Sequence, residues 1–461
     1  MSIKAALKRL SRLPSAQERF NIFTSISLNV NNELETSSGP LKGLLFGIKD
    51  NIVTKDMPTT CGSKILLDYK SPFDATVVDL LKKAGAVAVG KTNLDEFGMG
   101  SGGVHSHFGP TFNPLYKDGN FIAGGSSSGS AAAVAADVVD FSLGTDTGGS
   151  VRLPAAYTSI LGFKPSYGRI SRHGVVAYAQ SLDTVGIMSK DLNVLQRVFR
   201  VLDKYDPKDP TSLNNSLRSE ASKHLVHRNT LKIGVPMEMN QDVVPFEIRQ
   251  ALLKVIESLM AAGHEILPVS LPSVKNALPI YYTLAPAEAV SNLARYDGIR
   301  YGYRDEKQDI EDGTLFVPTR RNFGSEVQNR IVLGNYNLCS GSFKNNYIKA
   351  QKLRVELINQ FDDVFRLPNI LTGNEGNPNG VDMLLSLASM SLPISVQDYK
   401  SKDMRNPLHS YINDIFTMPM SLAGLPTLTI PAGNNMKGIG VQLSGQYGSD
   451  QSILNAARTL V

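Results

Sequence analysis

The chain has 461 residues, enough for one large domain or two to three ordinary ones, and at 42% hydrophobic and 19% charged it has the composition of a soluble globular enzyme. Its 47 basic and 42 acidic side chains leave a formal charge of +5 with no basic block, which argues against a nucleic-acid grip by this chain alone. No apolar run approaches the roughly 18 residues of a membrane span. Cys61 and Cys339 are the only cysteines and neither lies in a C-x-x-C pair, so a disulfide framework and a cysteine metal site drop out and a reducing compartment is expected.

In chain order, residues 1–17 carry Lys4, Lys8, Arg9 and Arg12, hydroxyls at Ser2, Ser11 and Ser15, and no acid before Glu18. That pattern resembles a mitochondrial targeting segment. The other reading is a basic first helix docked on the body or on a partner. Apolar residues at helical spacing predict a helix over 75–84, followed by a β-branched strand over 86–90. A second strand–helix–strand unit is predicted at 231–236, 246–262 and 264–270, punctuated by Gly263 and Pro272. Between the two units, residues 119–168 are rich in glycine, serine and alanine. Residues 205–229 and 372–380 read as exposed polar excursions. No repeat of 20–50 residues is present, so the expectation is an α/β fold and not a solenoid or propeller.

Two serine-bearing glycine turns stand out: Gly124-Gly125-Ser126-Ser127-Ser128-Gly129-Ser130 and Gly144-Thr145-Asp146-Thr147-Gly148-Gly149-Ser150. A serine hydroxyl is a weak nucleophile unless a base lies within hydrogen-bond reach and donors await the oxyanion it creates. The backbone N–H groups of Thr147, Gly148 and Gly149 suit the second need, because glycines let successive N–H groups converge on one point. A single Gly-Gly-Ser turn reads more readily as a tight loop or helix start. The segment 125–129 also matches G-x-S-x-G formally, which points to Ser127, but the stretch before it is too short and glycine-bound for the long strand that such an elbow needs. Neither turn has phosphate-loop form, and no ATP-binding loop is recognised in the chain.

The paired turns resemble the amidase signature family, whose defining pattern they are. The resemblance implies a large mixed β-sheet sandwiched between layers of α-helices, formed by a single domain over 1–461. It implies a Ser–cis-Ser–Lys triad: Ser150 attacks, Ser126 relays the proton, and Lys49, in Phe46-Gly47-Ile48-Lys49-Asp50-Asn51-Ile52, accepts it. The chemistry requires a free amine, and an exposed lysine at about pKa 10.4 is protonated. Leu44, Leu45, Phe46, Ile48 and Ile52 could supply the burial that lowers it.

Further motifs are similar to one branch of that family, the glutaminase subunits of tRNA-dependent amidotransferases. They include residues 74–78, 90–97, 162–169, 296–302 and 416–431. That resemblance implies glutamine as substrate and a mitochondrial matrix enzyme. It places Arg330 on the α-carboxylate, Asp414 on the α-ammonium and Tyr281 against the substrate. From the residues alone each could be a surface or cap position, Asp414 an N-cap in particular. It implies no metal or cofactor in this chain. ATP and magnesium belong to a B-type partner subunit, a small third subunit clamps the two, and Glu-tRNA(Gln) binds through the complex. Three departures are visible. Ser128 replaces a usual glycine, the N-terminal helical region is short, and residues 372–405 read as a divergent insertion. His105 and His107 are expected to be loop or core residues, and Cys61 a small buried one.

Overall fold

The computed structural model describes residues 3–116, 119–225, 228, 230–307, 317–406, 408–433 and 435–460. Its strands, in chain order, are β1 (Phe23–Ile26), β2 (Leu45–Lys49), β3 (Val87–Thr92), β4 (Phe141–Asp146), β5 (Leu161–Lys164) and β6 (Thr184–Ser189). They continue with β7 (Lys232–Pro236), β8 (Glu265–Val269), β9 (Met383–Leu387), β10 (Thr427–Pro431) and β11 (Gly440–Ser444). All join one 11-stranded sheet in the order β1-β3-β2-β4-β6-β5-β10-β11-β9-β7-β8. β2 pairs in parallel with β3 and β4, and β7 with β8 and β9, whereas the pairs around β5, β6, β10 and β11 are antiparallel. The sheet is therefore mixed, as expected.

β2 and β4 are buried along their whole length, because helices cover both faces of the sheet there. Phe46 stacks on Phe141 with ring centroids 5.3 Å apart, and both join Ile48 and Leu143 in the larger apolar core. Leu45 belongs instead to a second core on the opposite face, with Ala131, Ala132, Ala133 and Val134. Side chains alternate along a strand, so Lys49 falls on the face of Leu45, the face covered by helix Ser128–Ala135. That helix is built of Ser, Gly, Ala and Val and can lie close to the sheet. A Cβ on Gly129 would sit 2.3 Å from the Ile22 carbonyl oxygen.

The predicted elements at 75–84, 86–90, 231–236, 246–262 and 264–270 appear as Thr76–Lys83, Val87–Thr92, Lys232–Pro236, Phe246–Ala261 and Glu265–Val269. Three segments take defined places in the fold. Residues 1–17 are not detached from the body where they are described: helices Ile3–Leu10 and Leu13–Phe20 bury Ala6 and Ala16, Arg9 Nε donates to Asp140 Oδ1 at 2.9 Å, and Arg9 and Arg12 both pair with Asp137. Residues 372–405 are not a surface addition, since they supply β9, inserted between β11 and β7, and helix Val396–Arg405. Residues 205–229 hold buried Asp206 and Asp209 and a helix, Asn215–Lys223, whose Arg218 ion-pairs with Asp203.

The chain does contain one string of phosphate-loop form. Residues 85–92 spell G-x-x-x-x-G-K-T. Most of it is strand β3, and Lys91 is fully buried, 3.0 Å from Asp50 Oδ1, so the free loop amides and free lysine of a phosphate loop are not formed there. No described helix is long and apolar enough to cross a membrane.

Candidate active site

Because β2 and β4 run parallel with Ile48 opposite Leu143, their C-terminal ends emerge side by side. Lys49 ends β2, and the 147–151 turn leaves β4. Ligand sites in such sheets form at this edge. Lys49 is fully buried, with Nζ 2.7 Å from Ser126 Oγ, 2.9 Å from Thr145 Oγ1 and 3.3 Å from the Thr145 carbonyl oxygen. Burial pulls its pKa down to about 7 against the opposing pull of Asp95 and Asp146, so the amine is substantially unprotonated near neutrality. The neutral nitrogen can accept the Ser126 proton, and Asn51 Nδ2 donates to Thr145 Oγ1 at 3.1 Å to hold that partner in place.

Ser126 follows a cis peptide from Gly125 and is fully buried. The two serine turns are joined by their backbones: Ser127 N–H donates to the Ser150 carbonyl at 3.2 Å. Ser150 is partly exposed whereas Lys49 and Ser126 are fully buried, so the site is sealed at the amine. Gly148 and Gly149 are buried, yet neither N–H donates to an acceptor among the described residues. Buried backbone donors are nearly always paired, so these two are available to a ligand oxygen. Thr147 is held through its hydroxyl, which donates to Asp183 Oδ1 at 2.7 Å. The turn is anchored from below by the buried Asp146–Arg152 pair, whose guanidinium donates to both carboxylate oxygens at 2.9 and 3.0 Å. Burial alone would raise the Asp146 carboxyl, but Arg152 brings it below the usual range.

Of the three expected substrate contacts, Tyr281 lies against this turn, and its neighbour Tyr282 lies against Arg330. A Cβ on Gly148 would lie 2.7 Å from the Tyr281 ring, so that tyrosine walls the turn directly. Arg330 is buried on helix Ser325–Leu338; Nε donates to Glu326 Oε1 at 2.9 Å and Nη1 to the Tyr178 hydroxyl at 2.5 Å. Its guanidinium carbon lies 5.7, 5.4 and 5.5 Å from the ring centres of Tyr178, Tyr282 and Tyr411, an aromatic enclosure that restricts it to one orientation. Asp414 is buried and accepts from Ser101 Oγ. Burial raises its pKa to about 7, with Ser101 and Arg330 opposing. It is not an N-cap: the following helix is Met418–Leu422, capped at Thr417.

The site also contains Thr145, Tyr178, Asp183, Glu326, Tyr282, Tyr411 and Ser101, which the sequence motifs do not single out. Glu326 carried a signal, four residues before Arg330 on a helix. Thr145 sits inside the second serine motif. The others come from distant segments with no local pattern. Ser127, the alternative nucleophile, turns its hydroxyl to the Thr145 carbonyl at 3.3 Å. Cys61 is buried, and burial pushes its thiol well up, away from the reactive thiolate. His105 faces Asp403, 3.9 Å away, and no group of three potential metal ligands occurs among the described residues.

A buried lysine on a serine, beside a glycine turn with open amides, defines an amide-cleaving site, and similarity to known proteins agrees. The chain belongs to the amidase family, whose model matches residues 4–454. It is 62% identical to the A-type subunit of the mitochondrial glutamyl-tRNA(Gln) amidotransferase of Eremothecium gossypii, covering 100% of this chain and 99% of that one. It is 50% identical to the same-named protein of Yarrowia lipolytica, covering 93% of this chain and 94% of that one. Among solved structures it resembles the A-type subunit of the Thermotoga maritima glutamyl-tRNA(Gln) amidotransferase, at 32% identity and a TM-score of 0.78, covering 99% and 90% of the two chains. The chain is the amidase-family component of an amidotransferase, and it is mitochondrial.

Proposed function

We propose that this site hydrolyses glutamine and supplies the ammonia to a reaction on tRNA-bound glutamate. Ser150 Oγ attacks the side-chain amide carbon while its proton passes to Ser126, and the Ser126 proton passes to Lys49 Nζ. The tetrahedral oxyanion is received by the amides of the 147–149 turn. As the intermediate collapses, the C–N bond breaks and the proton returns through Ser126 to the departing ammonia. That leaves a γ-glutamyl ester on Ser150. Water, deprotonated by the same relay, releases glutamate and restores the serine. The observation that carries this reading is the 2.7 Å contact between buried Lys49 Nζ and Ser126 Oγ with the amine brought to about pKa 7.

Arg330 reads the α-carboxylate, Asp414 the α-ammonium, and Tyr281 packs against the chain between them. A pocket holding one fixed cation and one buried carboxylate discriminates against simple aryl or alkyl amides, which would leave both charges unanswered. The relatives' shared name supports Glu-tRNA(Gln) as the final acceptor. A B-type subunit holding ATP, magnesium and tRNA, together with a small third subunit, completes the enzyme in the mitochondrial matrix. The test is glutamine hydrolysis by Ser150→Ala against wild type, with denatured protein examined by mass spectrometry for a glutamyl adduct on Ser150. Hydrolysis at the wild-type rate by the alanine variant rejects the reading.

A further inference from the structure

The 147–149 turn must hold its amides toward the substrate, and the following helix reaches it at the Gly149 carbonyl, which accepts from the Leu153 N–H at 2.8 Å; among the described residues no helix or strand bond fixes the 148–149 peptide. Gly149 has φ +144, a conformation that side chains rarely adopt, so its own chemistry does not restrict the turn. Something outside the turn must orient the peptide planes. The residue that donates to this peptide is Thr417, brought from far along the chain. Its Oγ1 donates to the Gly148 carbonyl at 2.6 Å, and a Cβ on Gly149 would meet that same oxygen at 2.1 Å.

A hydroxyl has one proton to give. Thr417 Oγ1 also lies 3.0 Å from the Asp414 carbonyl oxygen, but that oxygen already receives the Thr417 and Met418 N–H groups, each at 3.0 Å. The shorter contact, to Gly148, takes the hydroxyl proton. In a trans peptide the carbonyl and the following N–H point in opposite directions. Drawing the Gly148 carbonyl toward Thr417 therefore turns the Gly149 N–H away from Thr417, on the side where it has no partner within the described residues. Thr417 is itself held: Arg152 Nη1 donates to its carbonyl oxygen at 2.8 Å, and Arg152 is locked to Asp146 at the base of the turn.

We propose that Thr417 is a positioning residue that sets the 148–149 peptide plane so that the Gly149 N–H faces the developing oxyanion. The proposal rests on the glutaminase reading above. It also explains why the segment that carries Asp414 continues directly into Thr417: the stretch that reads the substrate's ammonium ends in the side chain that sets an oxyanion donor.

The experiment uses the amidotransferase purified with its partner subunits and measures ammonia released from glutamine by wild type, Thr417→Val, Thr417→Ser and Ser150→Ala. Removing an oxyanion donor outright costs on the order of 100- to 1000-fold in kcat, and leaving one untethered is expected to cost less, about 10- to 100-fold. Thr417→Val should therefore lose about that much kcat with KM within threefold, and Thr417→Ser, which keeps the hydroxyl, should recover most of it. A Thr417→Val enzyme with wild-type kcat overturns the proposal, as does a rise in KM at unchanged kcat, which would place Thr417 with Asp414 in ammonium binding. Failure of the serine variant to recover kcat while the valine variant is impaired also overturns it, since the hydroxyl would then not be the cause. Wild-type hydrolysis by Ser150→Ala would instead remove the underlying reading, so the two failures are separately visible.

Discussion

Arg330 and Glu326 stand one helical turn apart, and Nε and Nη2 of the guanidinium both lie 2.9 Å from Glu326 Oε1. The cation proposed to read the substrate carboxylate is thus already paired with a carboxylate before substrate arrives. An incoming carboxylate shares Arg330 with Glu326 and is repelled by it. Selectivity for an anion of the right length then depends on geometry more than on raw charge.

This relationship gives two opposite expectations. Arg330→Ala should raise KM for glutamine about 10- to 100-fold with a smaller change in kcat, because a charge-assisted hydrogen bond contributes about 1.5–3 kcal/mol and serves ground and transition states alike. Glu326→Gln keeps an acceptor for Arg330 and removes the repulsion, so KM should fall, by about threefold at the modest effective screening of a protein interior. Steady-state kinetics on both variants checks the pair; a rise in KM for the glutamine variant at Glu326 would contradict the shared-cation arrangement.

The pH profile follows from two groups. Lys49 and Asp414 are both placed at about 7 by burial, the amine lowered and the carboxyl raised. Below that value Lys49 is protonated and cannot accept a proton, and Asp414 is neutral and cannot hold an ammonium. Both faults are relieved as pH rises. The logarithm of kcat/KM should climb with a slope approaching two below neutrality and level off above it. Asp414→Asn should reduce the slope to one as well as raising KM. A flat profile between pH 5.5 and 7 would exclude both assignments.

Members of a proton relay act as a unit, so their losses do not add. Ser150→Ala should abolish glutamine hydrolysis, and Lys49→Ala should come close to it. The Lys49→Ala/Ser126→Ala double variant should be little worse than Lys49→Ala. Initial rates of ammonia release measure all three, and a Lys49→Ala enzyme within tenfold of wild type would sink the base assignment.

The two serine turns stood out for a local physical reason, their glycine and serine content, whereas Lys49 was named only through the family resemblance; the structure sets it 2.7 Å from Ser126 Oγ. The strand–helix units were legible by periodicity, and Lys232–Pro236 and Glu265–Val269 fall within one residue of the expected bounds. β9 was hidden because Met383–Leu387 is a short apolar run within a polar, glycine-bearing neighbourhood, and nothing local announces that β7 and β11 leave a place between them. Tyr178, Tyr282 and Tyr411 enclose Arg330 from three separate segments, an arrangement set by packing that no spacing rule encodes. The basic N-terminus left a targeting-like segment and a docked helix both open, because charge pattern alone does not reveal a partner: Asp137 and Asp140 are over 120 residues away in sequence.

That docking bears on stability. Asp140 is mostly buried, accepting from the Leu45 N–H at 2.8 Å with one oxygen and from Arg9 Nε with the other. Leu45 opens the strand that ends in Lys49. Asp140→Ala leaves that amide buried without its acceptor and should lower stability by about 1–3 kcal/mol. Arg9→Ala removes a partner whose side chain is 22% exposed and should cost less, on the order of 0.5–1 kcal/mol. Denaturant unfolding of the two variants tests the order; an equal loss would mean that the ion pair, and not the Leu45 bond, is the larger contribution.

The last expectation is a division of labour. Making a carboxylate on tRNA reactive toward ammonia requires activation, and in the proposed scheme this is done with ATP and magnesium by a partner. Within this chain the one phosphate-loop string is a strand whose lysine is buried against Asp50, and the formal charge of +5 is spread without a basic block. Salt-dependent tRNA binding needs several phosphates neutralised at once, which this surface is not charged to do. The isolated chain should therefore neither bind tRNA tightly nor form Gln-tRNA(Gln) from Glu-tRNA(Gln), even with ATP and magnesium supplied. Unregulated hydrolysis would consume glutamine to no end, so the partner and the acceptor tRNA should raise the rate of ammonia release. Filter binding at near-physiological salt, transamidation and glutamine hydrolysis, each on the isolated chain and on the assembled enzyme, measure the three points. Tight tRNA binding by the chain alone, or Gln-tRNA(Gln) made without a partner, would refute the division.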